Sequence, residues 1–348
     1  MSKQLPKDVI VKGSDGNYYQ YLLKGHEDMR LDERIMQFFR LINSLLMKET
    51  FFNQRFIQII SVIPLSIGHG LVQWVPGTET LRKVVEKIRT VHDVDQMKEF
   101  DLLMQYSNEI FDNLLPIQKL QVFERICNEV PDTDIADFFW LKSETSESWV
   151  KKTLTFSISC AVNSVVGYII GLGDRHPSNL LIDSNTGRVV HIDFGDCFEK
   201  AANRDFLPEV VPFRLTRQMV RAMGPAGVDG VFNNAFVSMS NILRENCDVL
   251  VTVLAIFVQE PLVNPDRPQK TKRLYSSEKL GSVAVKAERQ RKTNSSVQMR
   301  KRVHQKLTGM DFGNDVPMSV EEQTNRLIEN ATSPMNLCRM YSGWCPFW

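Results

Sequence analysis

Asp174 and Asn179 stand five residues apart in the run Asp174-Arg175-His176-Pro177-Ser178-Asn179, and Asp193-Phe194-Gly195 follows fourteen residues later. Two carboxylates and an amide are hard oxygen donors, suited to a metal such as Mg2+ and to the proton of an attacking hydroxyl. Upstream, Lys24 closes the run Tyr18–Leu23 and is followed by Glu27 and Asp32. A strand lysine beside an acid keeps an ammonium aimed at phosphates. Phosphoryl transfer asks for these groups: a cation on the phosphates, ligands for Mg2+ and an acceptor for the hydroxyl proton. Singly each is a weak signal. Asp-Phe-Gly recurs by chance, and His176 reads equally well as a satisfied core histidine. In this order along one chain they favour a phosphotransferase.

The elements that must hold these groups are legible as patterns. Val9-Ile10-Val11 and Tyr18–Leu23 read as strands around the turn residues Ser14-Asp15-Gly16-Asn17. Ile35, Phe38, Phe39, Ile42, Leu45 and Leu46 recur at helical spacing. Ile57–Leu65 and Gly70–Val75 read as a second strand pair, so the first 75 residues form a small β-rich lobe with one helix. From Thr78 the pattern turns helical, most clearly over Ile110–Cys127 and Ser146–Gly171. The second of these is predicted to bury Leu154, Ile158, Ala161, Val162, Val165, Val166 and Ile169. Leu180-Leu181-Ile182 and Val189–Ile192 read as a hairpin around Asn185-Thr186-Gly187, carrying Asp193 at its end. Residues 264–302 differ: between Gln269 and Arg302 there are eleven Lys and Arg against two Glu, without apolar periodicity. They read as a solvated insertion or as a basic patch for acidic partners. Ser319-Val320-Glu321-Glu322 is a capping-box pattern opening a last helix.

Composition narrows the function classes. The 348 residues, 43% hydrophobic with net charge +1, suffice for one large or two modest domains and give no sign of a dedicated nucleic-acid binder. No run of 18 apolar residues exists, and Met1–Lys7 has no apolar signal core. Six scattered cysteines fit a reducing, cytoplasmic setting, with peripheral contact to endomembranes as a variant. Cys338 and Cys345, seven apart, are the only pair with suggestive spacing.

The Asp-to-Asn interval of five is that of the protein-kinase catalytic loop. Its order here, Asp174-Arg175-His176, together with His191-Ile192-Asp193-Phe194-Gly195-Asp196, resembles the phosphatidylinositol 3-kinase-related protein kinases. Lys24–Arg34 resembles that family's lysine-and-acid segment. Asn336-Leu337-Cys338 through Gly343-Trp344-Cys345-Pro346-Phe347-Trp348 resembles the FATC tail in its target-of-rapamycin form. The resemblance covers nearly the whole chain and is weakest over 264–302 and 47–57.

It implies an α+β, bilobal protein-kinase-like fold of the PI3/PI4-kinase type: a small β-rich N-lobe over 1–75 and a helical C-lobe over 76–263. The basic insertion would span 264–302, a last C-lobe helix 303–315 and FATC 316–348. The implied activity is transfer of the ATP γ-phosphoryl group to Ser/Thr of proteins in growth signalling, with Mg2+ or Mn2+. By position, Asp174 and His176 would activate the hydroxyl, and Asn179 and Asp193 would hold the metal. Lys24 would hold the phosphates, positioned by Glu27 or Asp32, and Ser2 would contact them from the covering loop. Trp74 and Val75 would form the adenine-binding hinge, with Leu181 and Ile192 closing the pocket floor. At Ile60 the family usually carries a tyrosine. The resemblance also implies that the chain begins inside the covering loop, lacking the strand before it.

Rival readings are a lipid kinase and an inactive scaffold. Gly195–Pro212 holds Lys200 and Arg204 against Asp196, Glu199, Asp205 and Glu209, a balance that repels an anionic headgroup. Asn113–Phe123 lies where the family docks a WD40 β-propeller subunit, and scaffold proteins of the target-of-rapamycin complex are further expected partners. The family suggests a redox-sensitive Cys338–Cys345 disulfide; two reduced thiols are the alternative. Tyr341, Trp344, Phe347 and Trp348 suit packing on the C-lobe or contact with a membrane interface.

Overall fold

The computed structural model describes residues 6–49, 57–107, 111, 114–259 and 297–348. Ser2, Asn113 and most of the basic segment lie outside them. In chain order the elements are β1 (Lys7–Lys12), β2 (Tyr18–Gly25), α1 (Arg30–Leu46), β3 (Val62–Ser66), β4 (His69–Gln73) and β5 (Thr78–Thr80). Helices α2 (Leu81–Val91), α3 (Lys98–Tyr106), α4 (Pro116–Glu129), α5 (Asp134–Leu141) and α6 (Ser146–Ile169) precede the hairpin β6 (Leu180–Asp183) and β7 (Val189–His191). After it come α7 (Arg217–Ala222), α8 (Val231–Glu245), α9 (Cys247–Gln259), α10 (297–308), α11 (Val320–Thr332) and α12 (Pro334–Leu337).

The described residues divide into two compact units, and the architecture is α+β. One comprises Met1–Ser44, Ile59–Trp74 and Leu243–Met318; the other comprises Leu45–Gln58, Val75–Ile242 and Ser319–Trp348. In the first unit β1, β2, β4 and β3 form an antiparallel sheet in that order. The β1–β2 turn is built as its residues dictate: Gly16 takes φ 83°, and Asp15 accepts from the Asn17 backbone and the Tyr19 hydroxyl. Lys24 pairs with Gly70 across β2 and β4. A side chain at Gly70 would sit 2.7 Å from Met29 Cγ, so this neighbour of Lys24 has to be glycine. On α1, Ile35, Phe38, Phe39, Ile42, Leu45 and Leu46 are all buried, as their spacing predicts.

In the second unit β5, β6 and β7 form a three-stranded antiparallel sheet. The strand β5 was not foreseen. Three residues are too few for a periodic signal, and pairing with β6 makes it a strand. Helix α6 is capped by Thr145, whose side chain accepts from Ser148 N.

Four expectations need correction. The helix predicted from Ile110 begins at Pro116, with Gln118 Oε1 capping Leu115 N at 2.9 Å. Proline suits a first helical position but breaks a helix interior. Leu154 on α6 is exposed, because the early turns bury Lys152, Thr153, Phe156 and Ser157; from Ser159 to Ile169 the helix is enclosed all round and has no outer face. In the segment predicted as a strand from Ile57, the strand begins at Val62, and Ile57 and Ile60 are core residues before it. Residues 297–302, expected within a basic insertion, are the first turns of α10.

Candidate active site

The candidate catalytic loop, Asp174–Asn179, is delivered by the end of α6. Gly171 takes φ 58°, Leu172 N donates to Gly167 O at 2.8 Å, and Gly171 N donates to Tyr168 O at 3.1 Å. These two bonds stop the helix and turn the chain. A Cβ on Gly171 would lie 2.5 Å from Glu199 N, so the turn also presses against Gly195–Pro212, the candidate activation segment. Gly173 N then donates to Asp196 O at 2.9 Å, joining the loop to the residues after Asp193.

Asp174 and Asp193 both adopt left-handed backbone, φ 56° and 62°. Non-glycine residues seldom do so, and such conformations gather at functional sites. Arg175 lies between the two loops. It is 3% exposed, and its guanidinium donates to Gly173 O at 2.8 Å, Ile192 O at 2.7 Å and Asp193 O. Burial pulls its pKa below the usual arginine range. Asn179 closes the loop: its amide Nδ2 donates to Asp174 O at 2.9 Å, and its carbonyl accepts Ile192 N at 3.1 Å. With the amide nitrogen engaged, the amide oxygen is left as the donor atom for a metal.

Asp174, His176, Asn179 and Asp193 therefore belong to one stitched pair of loops in the second unit. The donor set fits Mg2+, a hard ion that takes one or two carboxylates and keeps its remaining positions for water and phosphate. Among the described residues no three His, Cys, Asp or Glu converge into a cage. His176 accepts Ser178 N on Nδ1 at 3.2 Å, and burial holds its pKa below the ordinary value. The ring so assigned is neutral and carries its proton on Nε2, making it a hydrogen-bond donor. Leu181 and Ile192 flank this loop pair, both half-buried.

In the first unit, Lys24 Nζ pairs with Glu27 Oε2 at 3.4 Å; the other acid considered, Asp32, is buried in the first turn of α1. The division between units falls between Trp74 and Val75. Trp74 N donates to Gln20 O, and its indole is 41% exposed. Val75 O accepts the Thr78 hydroxyl at 2.7 Å.

The C-terminal tail packs in the second unit beneath the catalytic loop. Trp344, Phe347 and Trp348 are 0%, 4% and 6% exposed. These three rings are part of the core of the second unit, in keeping with packing on the C-lobe. Arg214 donates to Arg175 O at 3.2 Å and to Trp344 O, Cys345 O and Trp348 O at 2.6, 2.7 and 2.9 Å, while its guanidinium lies 4.3 Å over the Trp344 ring. Burial lowers its pKa to about 10, so it stays charged at neutral pH. Arg217 reaches Phe347 O, Cys127 O and Val130 O. Trp348 Nε1 donates to Glu99 Oε1 at 3.0 Å, and Glu99 with Asp134 holds the buried Arg89. Cys338 and Cys345 are free thiols, bonded to Met335 O and Gly343 O respectively.

Residues 18–266 match the family described as phosphatidylinositol 3- and 4-kinase, and residues 317–348 match the FATC domain. The chain belongs to the phosphatidylinositol 3- and 4-kinase family. All of it aligns at 42% identity with 16% of the Serine/threonine-protein kinase tor1 of Schizosaccharomyces pombe. It aligns likewise at 39% with 16% of the Serine/threonine-protein kinase mTor of Drosophila melanogaster. The chain thus spans about 16% of the length of these curated relatives. Among solved structures, the FAT and kinase domain of CtTel1 superposes with a TM-score of 0.79 at 27% identity, over 99% of this chain and 23% of that one. Within this kinase family the loop residues carry their sequence signal openly. Glu209 enters the sequence reading only as one acid of Gly195–Pro212, and Arg214 not at all, since neither lies in a motif.

Proposed function

We propose that this chain transfers the γ-phosphoryl group of ATP to serine and threonine hydroxyls of protein substrates, as the names of its relatives describe for those proteins. The observation that carries the reading is the loop pair held by Arg175, which gathers a proton acceptor and two metal-ligand oxygens. Asp174 takes the hydroxyl proton, and His176 donates from Nε2. Asn179 and Asp193 hold Mg2+, or Mn2+ in its place, and when bound the ion neutralises charge on the phosphate oxygens. Lys24, held by Glu27, engages the phosphates, with Ser2 contributing from a segment outside the described residues. Asp32 supports the start of α1. Trp74 offers its indole face and Val75 its backbone to adenine; Leu181 and Ile192 contribute apolar contacts. In this reading 1–75 is the N-lobe, 76–263 the C-lobe and 316–348 FATC.

The activation segment favours protein over lipid. Its two cations are engaged: Arg204 pairs with Asp196, and Lys200 Nζ donates to Gly195 O at 3.0 Å. The segment's remaining charge is then negative, which disfavours an anionic headgroup.

A WD40 β-propeller and scaffold subunits are the proposed partners. Leu115 and Ile117 at the start of α4 are 64% and 55% exposed and offer an apolar contact. Among the described residues no helix is long and apolar enough to cross a membrane. A cytoplasmic enzyme, peripheral on endomembranes, is the proposed setting. The deciding experiment is transfer of labelled phosphate from Mg-ATP to serine and threonine peptides by the full-length protein, alongside Asp193→Ala. An active D193A enzyme, or a wild type that labels phosphoinositide and no peptide, overturns the reading.

A further inference from the structure

Asp174 is gripped at three of its four polar atoms. Its N–H donates to Glu209 Oε1 at 2.8 Å, its carbonyl accepts Asn179 Nδ2 at 2.9 Å, and its Oδ1 accepts the Tyr341 hydroxyl at 3.4 Å. Among the described residues only Oδ2 has no partner. Glu209 comes from the activation segment and Tyr341 from the C-terminal tail, so two separate stretches of chain meet on one residue. That residue needs them: φ 56° is a conformation an aspartate seldom adopts, and it persists only where the surroundings over-determine it.

We propose that Glu209 and Tyr341 are positioning residues for Asp174, holding its backbone in the left-handed turn and its carboxylate rotated so that Oδ2 faces the substrate hydroxyl. The proposal rests on the kinase reading above, in which Asp174 accepts the proton. Glu209 is built in for the purpose. Its own N donates to Ala201 O at 3.1 Å, and Ala201 Cβ lies 2.3 Å from where a side chain on Gly173 would begin, so segment and loop are in close contact just before Asp174. Burial raises the Glu209 pKa, the cost of placing a carboxylate where its role is to accept a backbone N–H. Tyr341 is held from below, since Trp344 N and the following Cys345 are tied into the turn that Arg214 clamps. The tail thereby reaches the reacting group through one hydroxyl.

Glutamine at 209 keeps the acceptor oxygen and removes only the charge, whereas alanine removes both. In the full-length protein with a peptide substrate, Glu209→Ala is expected to lower kcat about tenfold with the ATP KM unchanged, the worth of one hydrogen bond realised at the reacting residue. Glu209→Gln is expected to restore most of that loss. Tyr341→Phe is expected to lower kcat about threefold, because a 3.4 Å bond is a weak one. Thermal melts of each variant separate unfolding from mispositioning. Equal losses in E209A and E209Q, or a wild-type kcat in E209A, overturn the role of Glu209. A wild-type kcat in Y341F overturns that of the tail. Failure of the kinase reading looks different: the wild type would transfer no phosphate, or D193A would remain active.

Discussion

The cation in the first unit and the cations in the second are held in opposite ways. Lys24 pairs with Glu27 at 3.4 Å, between side chains that are 25% and 33% exposed. Such a pair contributes little to stability and can be exchanged for a stronger anion. Arg175 and Arg214 are buried and spend their donors almost entirely on backbone carbonyls. Most of these acceptors are uncharged peptide carbonyls, so the arginines hold the loops by hydrogen-bond geometry, while the nearby Asp193 and Asp174 carboxylates support the buried Arg175 charge. A loosely held cation suits a ligand that comes and goes; a deeply held one suits geometry that must not change. Lysine and arginine are chosen accordingly: a compact point charge in the first case, a planar fork of five donors in the second.

This contrast can be broken experimentally, beginning with the strongest expected effect. Asp193→Ala should leave kcat at least about a thousandfold down with only a modest fall in melting temperature, because in the proposed reading the carboxylate holds the metal, while its support of the buried Arg175 charge is a smaller contribution. A melting temperature that fell steeply with activity would show that Asp193 is structural. Arg214→Met should do the reverse and destabilise the protein by about 3–5 kcal/mol, measured by denaturant unfolding, as four buried carbonyls lose their donor. Arg214→Lys should recover little, since a single ammonium cannot span Arg175 O and the three tail carbonyls. Trp344→Ala, which empties a fully buried site, should cost about 3–5 kcal/mol as well. Catalysis in either variant should fail together with the fold.

Acidification sharpens the same distinction. His191, beside Asp193, is kept neutral by burial, with its pKa pushed down to about 3, and the His176 pKa is also lowered. An unfolded chain takes up protons at these histidines near pH 6.5, where the folded one does not. Their contribution to stability is therefore full above pH 6.5 and is lost progressively as pH falls toward 3. His191→Gln should move the acid midpoint of unfolding downward; an unchanged midpoint would exclude His191 as the titrating group. The smallest effect belongs to the first unit. Glu27→Gln should change stability by less than about 1 kcal/mol and should raise the ATP KM a few-fold, because Lys24 loses its rest position. A large loss of stability would mean that the exposed pair matters more than its geometry allows.

The parts of the molecule that were legible in the sequence are those whose partners lie close along the chain. Gly171 signalled the end of α6, Asp15 and Gly16 the β1–β2 turn, and Ser319 with Glu322 the start of α11, where Ser319 accepts Glu322 N at 3.1 Å. The Asp174–Asn179 interval belongs to this class, since the Asn179 amide bonds back to the Asp174 carbonyl within one loop. Periodicity identified α1 for the same reason. It failed on Leu154, because a helix enclosed all round has no outer face to give contrast.

Residue types and their local spacing thus determined the chemistry: oxygen donors in the loops, a lysine on β2 and an aromatic tail. Tertiary structure alone decided what the tail does. Arg214 lies 130 residues before the Trp344 carbonyl it binds, and Glu209 lies 35 after the Asp174 N–H it accepts. The physical reason is the nature of the partners. Every residue has a backbone carbonyl and all but proline a backbone N–H, so a side chain that bonds to backbone leaves no complementary residue type to be read at the other end. That the aromatic tip is a buried prop for the catalytic loop, and Tyr341 its point of contact with Asp174, is written only in the folded chain.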